Sequence, residues 1–387
     1  MLEFPSIVAV GAHPDGRSDS RARHPPASNC QASLATRGHQ VNTVLVTTVH
    51  ASQGETMTAT TTRACDKRIP FSFELYPPKS DAAASALMHT IDRLAAAGPD
   101  FVSVTYGANG SSRTSSLDVL KYILRSTDVD PMAHLTCVGS SHAEASRLIR
   151  EFLDAGMNSF LAVRGDPPQG LQEGETFLGD LRSAGELVQL IHRVQAERVP
   201  YRETVIPGLP GARAVKTERE KVRIAVAAFP NGHPRSRSTS QDIDTLLAKQ
   251  AAGANLAITQ LFFHADLYLS FIQRAREAGV EFPILPGIMP VTSPVRLRRI
   301  LALSGEELPS ELSIQLEIEP TEEGQREIGI EHAALLAREL VEGGAPGLHF
   351  YAFNQHETVL AVLERYGVLS AGTRSAHPVV HPVKEST

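Results

Sequence analysis

Glu74 is the one carboxylate in an apolar run from Ile69 to Leu75 that continues into Tyr76, Pro77, Pro78 and Lys79. Alternate side chains of a strand point to opposite faces, so Phe71, Phe73 and Leu75 share one face and Ser72 and Glu74 the other. An acid flanked by aromatics loses part of its hydration, which raises its pKa and suits it to donate a proton near neutral pH. Other apolar runs also end in polar groups. Phe101 to Ala108 sets Ser103 and Thr105 on one face and runs into a Gly-rich loop; Ala133 to Cys137 carries His134; Phe160 to Pro168 ends with Arg164 and Asp166 on one face.

The elements that must position these groups form a series. Apolar runs at 69–79, 101–108, 133–137, 160–168, 224–233, 256–263, 283–287 and 347–351 read as strands, separated by helical patterns such as 82–97, 143–155, 181–194, 243–252, 267–278 and 330–342. Strands alternating with helices indicate parallel βαβ units. Eight of them with polar groups at the C-terminal strand ends indicate an α/β fold of the (β/α)8 TIM-barrel type. A doubly wound open sheet is the rival architecture, but no strand is followed by a G-x-G-x-x-G phosphate loop.

Composition narrows the class. A chain of 387 residues, 42% hydrophobic and 21% charged, can bury one large core, and its net charge of -6 offers no general footprint for nucleic acid. No apolar run approaches the roughly 20 residues of a membrane span, and no signal peptide is evident, so the expected address is cytoplasmic. Cys30, Cys65 and Cys137 form no C-x-x-C pair, which argues against a disulfide framework or a thiolate metal site. Cys137 is read as strand packing, and no metal site is expected.

Taken in order, Ser72-Phe73-Glu74 with Pro77-Pro78-Lys79, residues 103–108, His134 to Cys137, Arg164-Gly165-Asp166-Pro167, Phe229-Pro230 with His233-Pro234, Ile258-Thr259-Gln260 and His349-Phe350-Tyr351 resemble the motif set of the methylenetetrahydrofolate reductase family. The resemblance spans about 69–369 and extends to Asp242 and Lys249. It implies a TIM barrel that binds FAD at its C-terminal mouth, takes electrons from NADH or NADPH, and reduces 5,10-methylenetetrahydrofolate to 5-methyltetrahydrofolate for methionine synthesis.

It also implies roles. Glu74 matches the acid that protonates the folate, and Asp166 the carboxylate beside flavin and pterin. Gln260 matches a folate-binding amide, able to donate and accept together. Thr105, Tyr106, Ala108, His134, Arg164, Gly165, His233, Asp242 and Lys249 match cofactor-binding positions. Arg164, His233 and Lys249 can donate to a diphosphate, and Asp242 can accept from hydroxyls. The resemblance has gaps. Phe229 stands where a Tyr is common, Thr245 where an Asn is common, and Ala248 where an Arg often contacts the cofactor. Gln355 stands where the family has a folate-binding Arg, and cannot supply its charge. Two alternatives follow: a flavin-free relative that passes hydride directly from NADH, which Ala248 favours, and a non-catalytic barrel subunit, against which Glu74, Asp166 and Gln260 together argue. Assembly with further copies of the chain is left open.

Three segments fall outside the barrel pattern. Residues 1–68 lack sustained periodicity and are expected to be poorly ordered. Ile7 to Asp15 resembles the opening of zinc-dependent deacetylases, but Gly16 replaces a metal-ligating Asp. A start of translation at Met57 accounts for this stretch as well. Residues 196–222, rich in Pro and Gly, are read as a loop insertion on the barrel's N-terminal face, and 370–387 as a flexible polar tail.

Overall fold

A computed structural model describes residues 68–105, 110–165, 177–198, 202–205, 213–216, 222–234 and 236–368. The expectations for 1–67, for Met57 and for the tail lie outside these residues.

Each apolar run becomes a strand buried on both faces, the condition under which parallel strands read as nearly continuous hydrophobic sequence. In chain order they are β1 (Phe71–Leu75), β2 (Phe101–Val104), β3 (Asp130–Thr136), β4 (Ser159–Val163), then, after a separate β5–β6 pair (Arg202–Val205 and Arg213–Lys216), β7 (Arg223–Ala228), β8 (Leu256–Leu261), β9 (Ile284–Ile288) and β10 (Leu348–Tyr351). The eight barrel strands close in the order β1-β10-β9-β8-β7-β4-β3-β2, all pairings parallel. The barrel expectation holds and the open sheet does not.

Two cores result. Outward side chains such as Phe71, Phe73, Leu75 and Phe350 pack with helix residues including Leu87, Ile91 and Val362. Inward ones, among them Phe101, Met132, Leu161, Val163, Ala225, Ile258 and Tyr351, fill the barrel. The face that Ser72 shares with Glu74 is therefore the barrel interior, not solvent. On β8 the pairing shifts register between Ile258 and Leu261. Both residues consequently join the inner core, and Gln260 sits within this irregularity, as bulges near functional sites often arrange. Gly287 lets strand and ring approach: a Cβ there would lie 2.5 Å from the Thr259 carbonyl oxygen and 2.7 Å from the Tyr351 ring.

Helices start where side-chain oxygens can cap them. Ser80 caps α1 (Asp81–Ala96); α2 (Gly110–Ser126) follows β2; and Ser141 with Glu144 forms a capping box on α3 (His142–Asp154). Then come α4 (Ala184–Arg198), α5 (Thr239–Ala251, capped by Ser238), α6 (Ala265–Glu277), α7 (Pro294–Ser304, capped by Ser293), α8 (Ser310–Ile318), α9 (Glu322–Glu342, capped by Thr321) and α10 (His356–Tyr366). The capping Thr321 starts α9 well before the apolar periodicity at Ile330 does. The insertion at 196–222 is not all loop: β5 and β6 pair antiparallel from Arg202↔Lys216 to Val205↔Arg213. No helix among the described residues is long and apolar enough to cross a membrane.

Candidate active site

Glu74 is 2% exposed and lies on the interior face near the C-terminal end of β1. Register sets its neighbours: Tyr351 of β10 on one side and Ser103 of β2 on the other. His134 Nε2 lies 3.4 Å and His349 Nε2 3.7 Å from Glu74 Oε2, both rings fully buried. His349 Nδ1 meets Ser72 Oγ at 2.8 Å, and its ring stacks on Phe101 at 5.9 Å. The carboxyl oxygens and the two imidazole Nε2 atoms have no well-aligned hydrogen-bond partner.

Burial drives the charge state of the cluster. Loss of hydration raises the Glu74 carboxyl well above its ordinary 4.5, with a hydrogen bond from Ser103 opposing it. The same loss brings His349 down to about 3, and His134 likewise, the latter also repelled by His349. At neutral pH both imidazoles are therefore uncharged, so their close contacts with Glu74 are not ion pairs, and the raised carboxyl pKa favours the protonated acid between them. The expected raised pKa is present, but its cause is the barrel interior rather than the flanking Phe73, which points the other way.

These shifts carry opposite pH signatures in stability. The unfolded histidines bind protons below 6.5 and the folded ones only near 3, so their contribution is full above pH 6.5 and lost as pH falls towards 3. The folded Glu74 stays protonated where the unfolded one ionises above 4.5, so its contribution is full below 4.5 and lost as pH rises. Glu74→Gln cannot ionise. Urea denaturation is expected to show this variant gaining stability over the native chain as pH is raised from about 4.5 to 8. A pH-independent difference would mean that Glu74 is charged in the fold.

Across the barrel, the ends of β4 and β7 and the facing helices α4 and α5 enclose a cavity of about 420 Å³. Arg164, Gly165, His233, Asp242 and Lys249 all line it, with Ala248 and Thr245. Gly165 adopts φ +82, and a Cβ there would lie 2.5 Å from Val138 Cγ2, so the turn requires glycine. Asp242 holds the loop after β7, accepting from Ser236 Oγ at 2.5 Å and from the His233 backbone N–H at 3.2 Å. The Lys249 ammonium donates to the Ala227 carbonyl at 2.7 Å, and burial lowers its pKa to about 8. Cationic and neutral donors facing one carboxylate, with Ala162, Val163, Ala228 and Phe271 completing the wall, fit a diphosphate joined to hydroxyl-bearing sugars.

Other expected residues lie elsewhere. Buried Thr105 donates its backbone N–H to the Leu75 carbonyl at 2.9 Å, beside the Glu74 cluster. His134 belongs to that cluster, not to the cavity lining. Gln260, 3% exposed, borders a small recess with Phe229, Asn231, Ser304 and Glu306; Glu306 contacts the Asn231 amide, and burial pushes its carboxyl up to about 7. Gln355 is exposed at the start of α10 and accepts from Arg296 Nη1 at 3.1 Å. Tyr106, Ala108 and Asp166 lie outside the described residues. Cys137 is buried, its thiol pushed up to about 12, as a packing residue would be. No cluster of metal-binding groups occurs among the described residues.

Sequence reasoning assigned no role to His349, Tyr351, Arg296 or Glu306. The first two were findable, since His349 and Tyr351 alternate on a strand. Arg296, in the first turn of α7, and Glu306, just after that helix, have partners that only the closed barrel supplies.

The methylenetetrahydrofolate reductase family profile matches residues 59–367. The 5,10-methylenetetrahydrofolate reductase of Salmonella typhimurium is 31% identical over 320 residues, covering 82% of this chain and 97% of that one. The probable methylenetetrahydrofolate reductase (NADH) of Oryza sativa is 30% identical over 307 residues, 79% of this chain but 49% of that one. Among solved structures, an uncharacterized protein from Clostridium thermocellum that binds two copies of 5-methyl-5,6,7,8-tetrahydrofolic acid shares the fold, with a TM-score of 0.50, 14% identity and coverage of 77% of this chain and 93% of that one. With the profile running from before β1 to the end of α10, the chain belongs to the methylenetetrahydrofolate reductase family.

Proposed function

We propose that this protein reduces 5,10-methylenetetrahydrofolate to 5-methyltetrahydrofolate in the cytoplasm, with NADH or NADPH as the electron source and non-covalent FAD as the carrier. The observation that carries the reading is Glu74, a carboxylic acid buried inside a barrel mouth between two imidazoles, where loss of hydration raises its pKa and favours the proton-bearing form. Its proton goes to the folate nitrogen that leaves the methylene carbon; the C–N bond of the five-membered ring breaks, and the remaining iminium carbon accepts a hydride. FAD, when bound, supplies that hydride after reduction by the nicotinamide.

The chain's own residues divide the work by strand. Glu74, Gln260 and Gln355 belong to the β1, β8 and β10 side, where we place the folate. Arg164, Gly165, His233, Asp242 and Lys249 belong to the β4 and β7 side, where we place the cofactor diphosphate and sugars. Asp166, immediately after β4, is assigned to the junction. Thr105, Tyr106 and Ala108, which follow β2 in the sequence, are assigned to the flavin and nicotinamide. His134 acts through Glu74: a neutral imidazole against the carboxyl disfavours a second charge without neutralising the acid. Residues 69–369 carry this activity, with 196–222 as an insertion.

An absorbance spectrum of the purified protein, followed by anaerobic mixing with NADH and then with methylenetetrahydrofolate, tests the proposal. Flavin bands that bleach with NADH and return with the folate are expected. Colourless protein that still turns over would support direct hydride transfer, and coloured protein unresponsive to folate would remove the folate assignment.

A further inference from the structure

Arg296 is a half-buried cation with no carboxylate partner among the described residues. It lies in the first turn of α7, its backbone N–H donating to the capping Ser293 Oγ at 3.2 Å. Its guanidinium covers the Phe353 ring at 4.4 Å from the centroid. Nη1 donates to Thr292 Oγ1 at 3.3 Å and to Gln355 Oε1 at 3.1 Å, and both acceptors are neutral. Among the described residues no acid pairs with it, and the only ionisable neighbour acting on its charge is Tyr76, itself pushed upward by burial and so uncharged. Burial without a counter-ion is costly for a guanidinium. A fork held in place by neutral acceptors and an aromatic face, with Nη2 and Nε making no bond among the described residues, is arranged to receive an anion from outside.

The surroundings are built to hold it there. Phe353 and Asn354 have φ of 50° and 56°, a left-handed conformation that Asn tolerates and Phe rarely adopts. Backbone strain of this kind collects at binding sites. Asn354 is locked to β1, accepting from the Tyr76 N–H at 2.9 Å and donating to the Tyr76 carbonyl at 3.1 Å. The turn thereby sets Phe353 under the guanidinium and against Tyr76, ring centroids 5.4 Å apart. Phe353 and Tyr76 directly follow the adjacent strands β10 and β1, and Arg296 opens the helix that follows β9, the strand next to β10.

Residue 355 is where the family resemblance places a folate-binding Arg, and here it is Gln. We infer that the positive charge of this subsite is carried instead by Arg296 on α7, which binds a carboxylate of the folate substrate's glutamate tail while the Gln355 amide orients it. This rests on the folate reading proposed above and adds to it the residue that selects an anionic tail.

The test titrates 5-methyltetrahydrofolate, and the same ligand with both glutamate carboxylates converted to amides, against the native protein, Arg296→Gln, and Arg296→Gln combined with Gln355→Arg. The native protein is expected to prefer the acid. Arg296→Gln should raise the Kd for the acid roughly 10- to 100-fold, the range of a charge-assisted hydrogen bond, and leave the diamide unchanged. The double variant should recover most of the loss, which a merely structural role for Arg296 would not allow. Equal weakening of both ligands, no effect on either, or a selective loss of NADPH over NADH binding would each overturn the inference. A native protein that bound neither ligand would overturn the folate reading and this inference with it.

Discussion

Glu74→Gln is expected to leave reduction of the bound flavin by NADH intact and to slow its reoxidation by methylenetetrahydrofolate by at least roughly 10²–10⁴-fold, the contribution of general acid catalysis. Hydride transfer from nicotinamide to flavin draws no proton from Glu74, whereas opening the methylene bridge requires an acid. Gln keeps the shape of Glu and removes the proton. Because burial favours the uncharged carboxyl, a neutral amide of the same shape should disturb the neighbouring imidazoles little. The variant should therefore retain its cofactor and, as argued from its pH linkage, be no less stable than the native chain at neutral pH. An active-site acid held at a cost in stability, and relieved by removing function, is a familiar trade-off. Anaerobic stopped-flow of the two half-reactions separates them. Reoxidation by folate at a near-native rate would remove Glu74 from the acid role, while loss of NADH reduction as well would point to a disturbed flavin site.

The strands were legible in the sequence as apolar runs, and the polar groups of β1, β2 and β10 because they follow a period-two pattern. Ser72 and Glu74, Ser103 and Thr105, and His349 and Tyr351 all keep to one face, and parallel register then brings Ser72 beside His349 and Glu74 beside Tyr351 and Ser103. Local pattern could not show that both faces are buried. The depth of Glu74, and hence the charge state of the cluster, follows from closing the barrel. Gln260 was found by its motif, but its placement depends on a register shift between β8 and β9, which no local signal marks. Arg296 was missed for a different reason. It occupies an ordinary amphipathic position, in the first turn of a helix opened by Ser293 and Pro294, and becomes unusual only because Phe353 and Gln355 arrive from the far end of the chain. The β5–β6 pair was hidden by Pro and Gly in the connecting segment, which read as loop.

Replacing Lys249 with Met should weaken FAD binding roughly 10- to 100-fold at pH 7, the loss expected for a charge-assisted hydrogen bond, and should also erase a pH dependence. Lys249 is partly exposed and lines the cavity, and burial lowers its pKa to about 8, with Asp242 opposing the effect and Arg164 adding to it. Below that pH the amine is charged and available to a diphosphate; above it the charge is lost. A bound dianion favours the protonated form, so the midpoint in the complex lies higher than in the free protein. The native Kd for FAD should accordingly rise as pH is taken from about 7 to 9, whereas Lys249→Met, with a side chain of similar length and no proton, should be weak and nearly flat over this range. Asp242→Ala supplies the contrast. Asp242 ties down the loop carrying His233 and Ser236, so its removal should weaken FAD through loss of that loop and of a hydroxyl acceptor while the alkaline slope persists. Isothermal titration of FAD into the apoprotein at several pH values reads both effects. If Lys249→Met bound FAD with native affinity and the native pH slope, the diphosphate would not lie beside Lys249, and the division of the barrel mouth into a cofactor half at β4 and β7 and a folate half at β8, β10 and β1 would have to be redrawn.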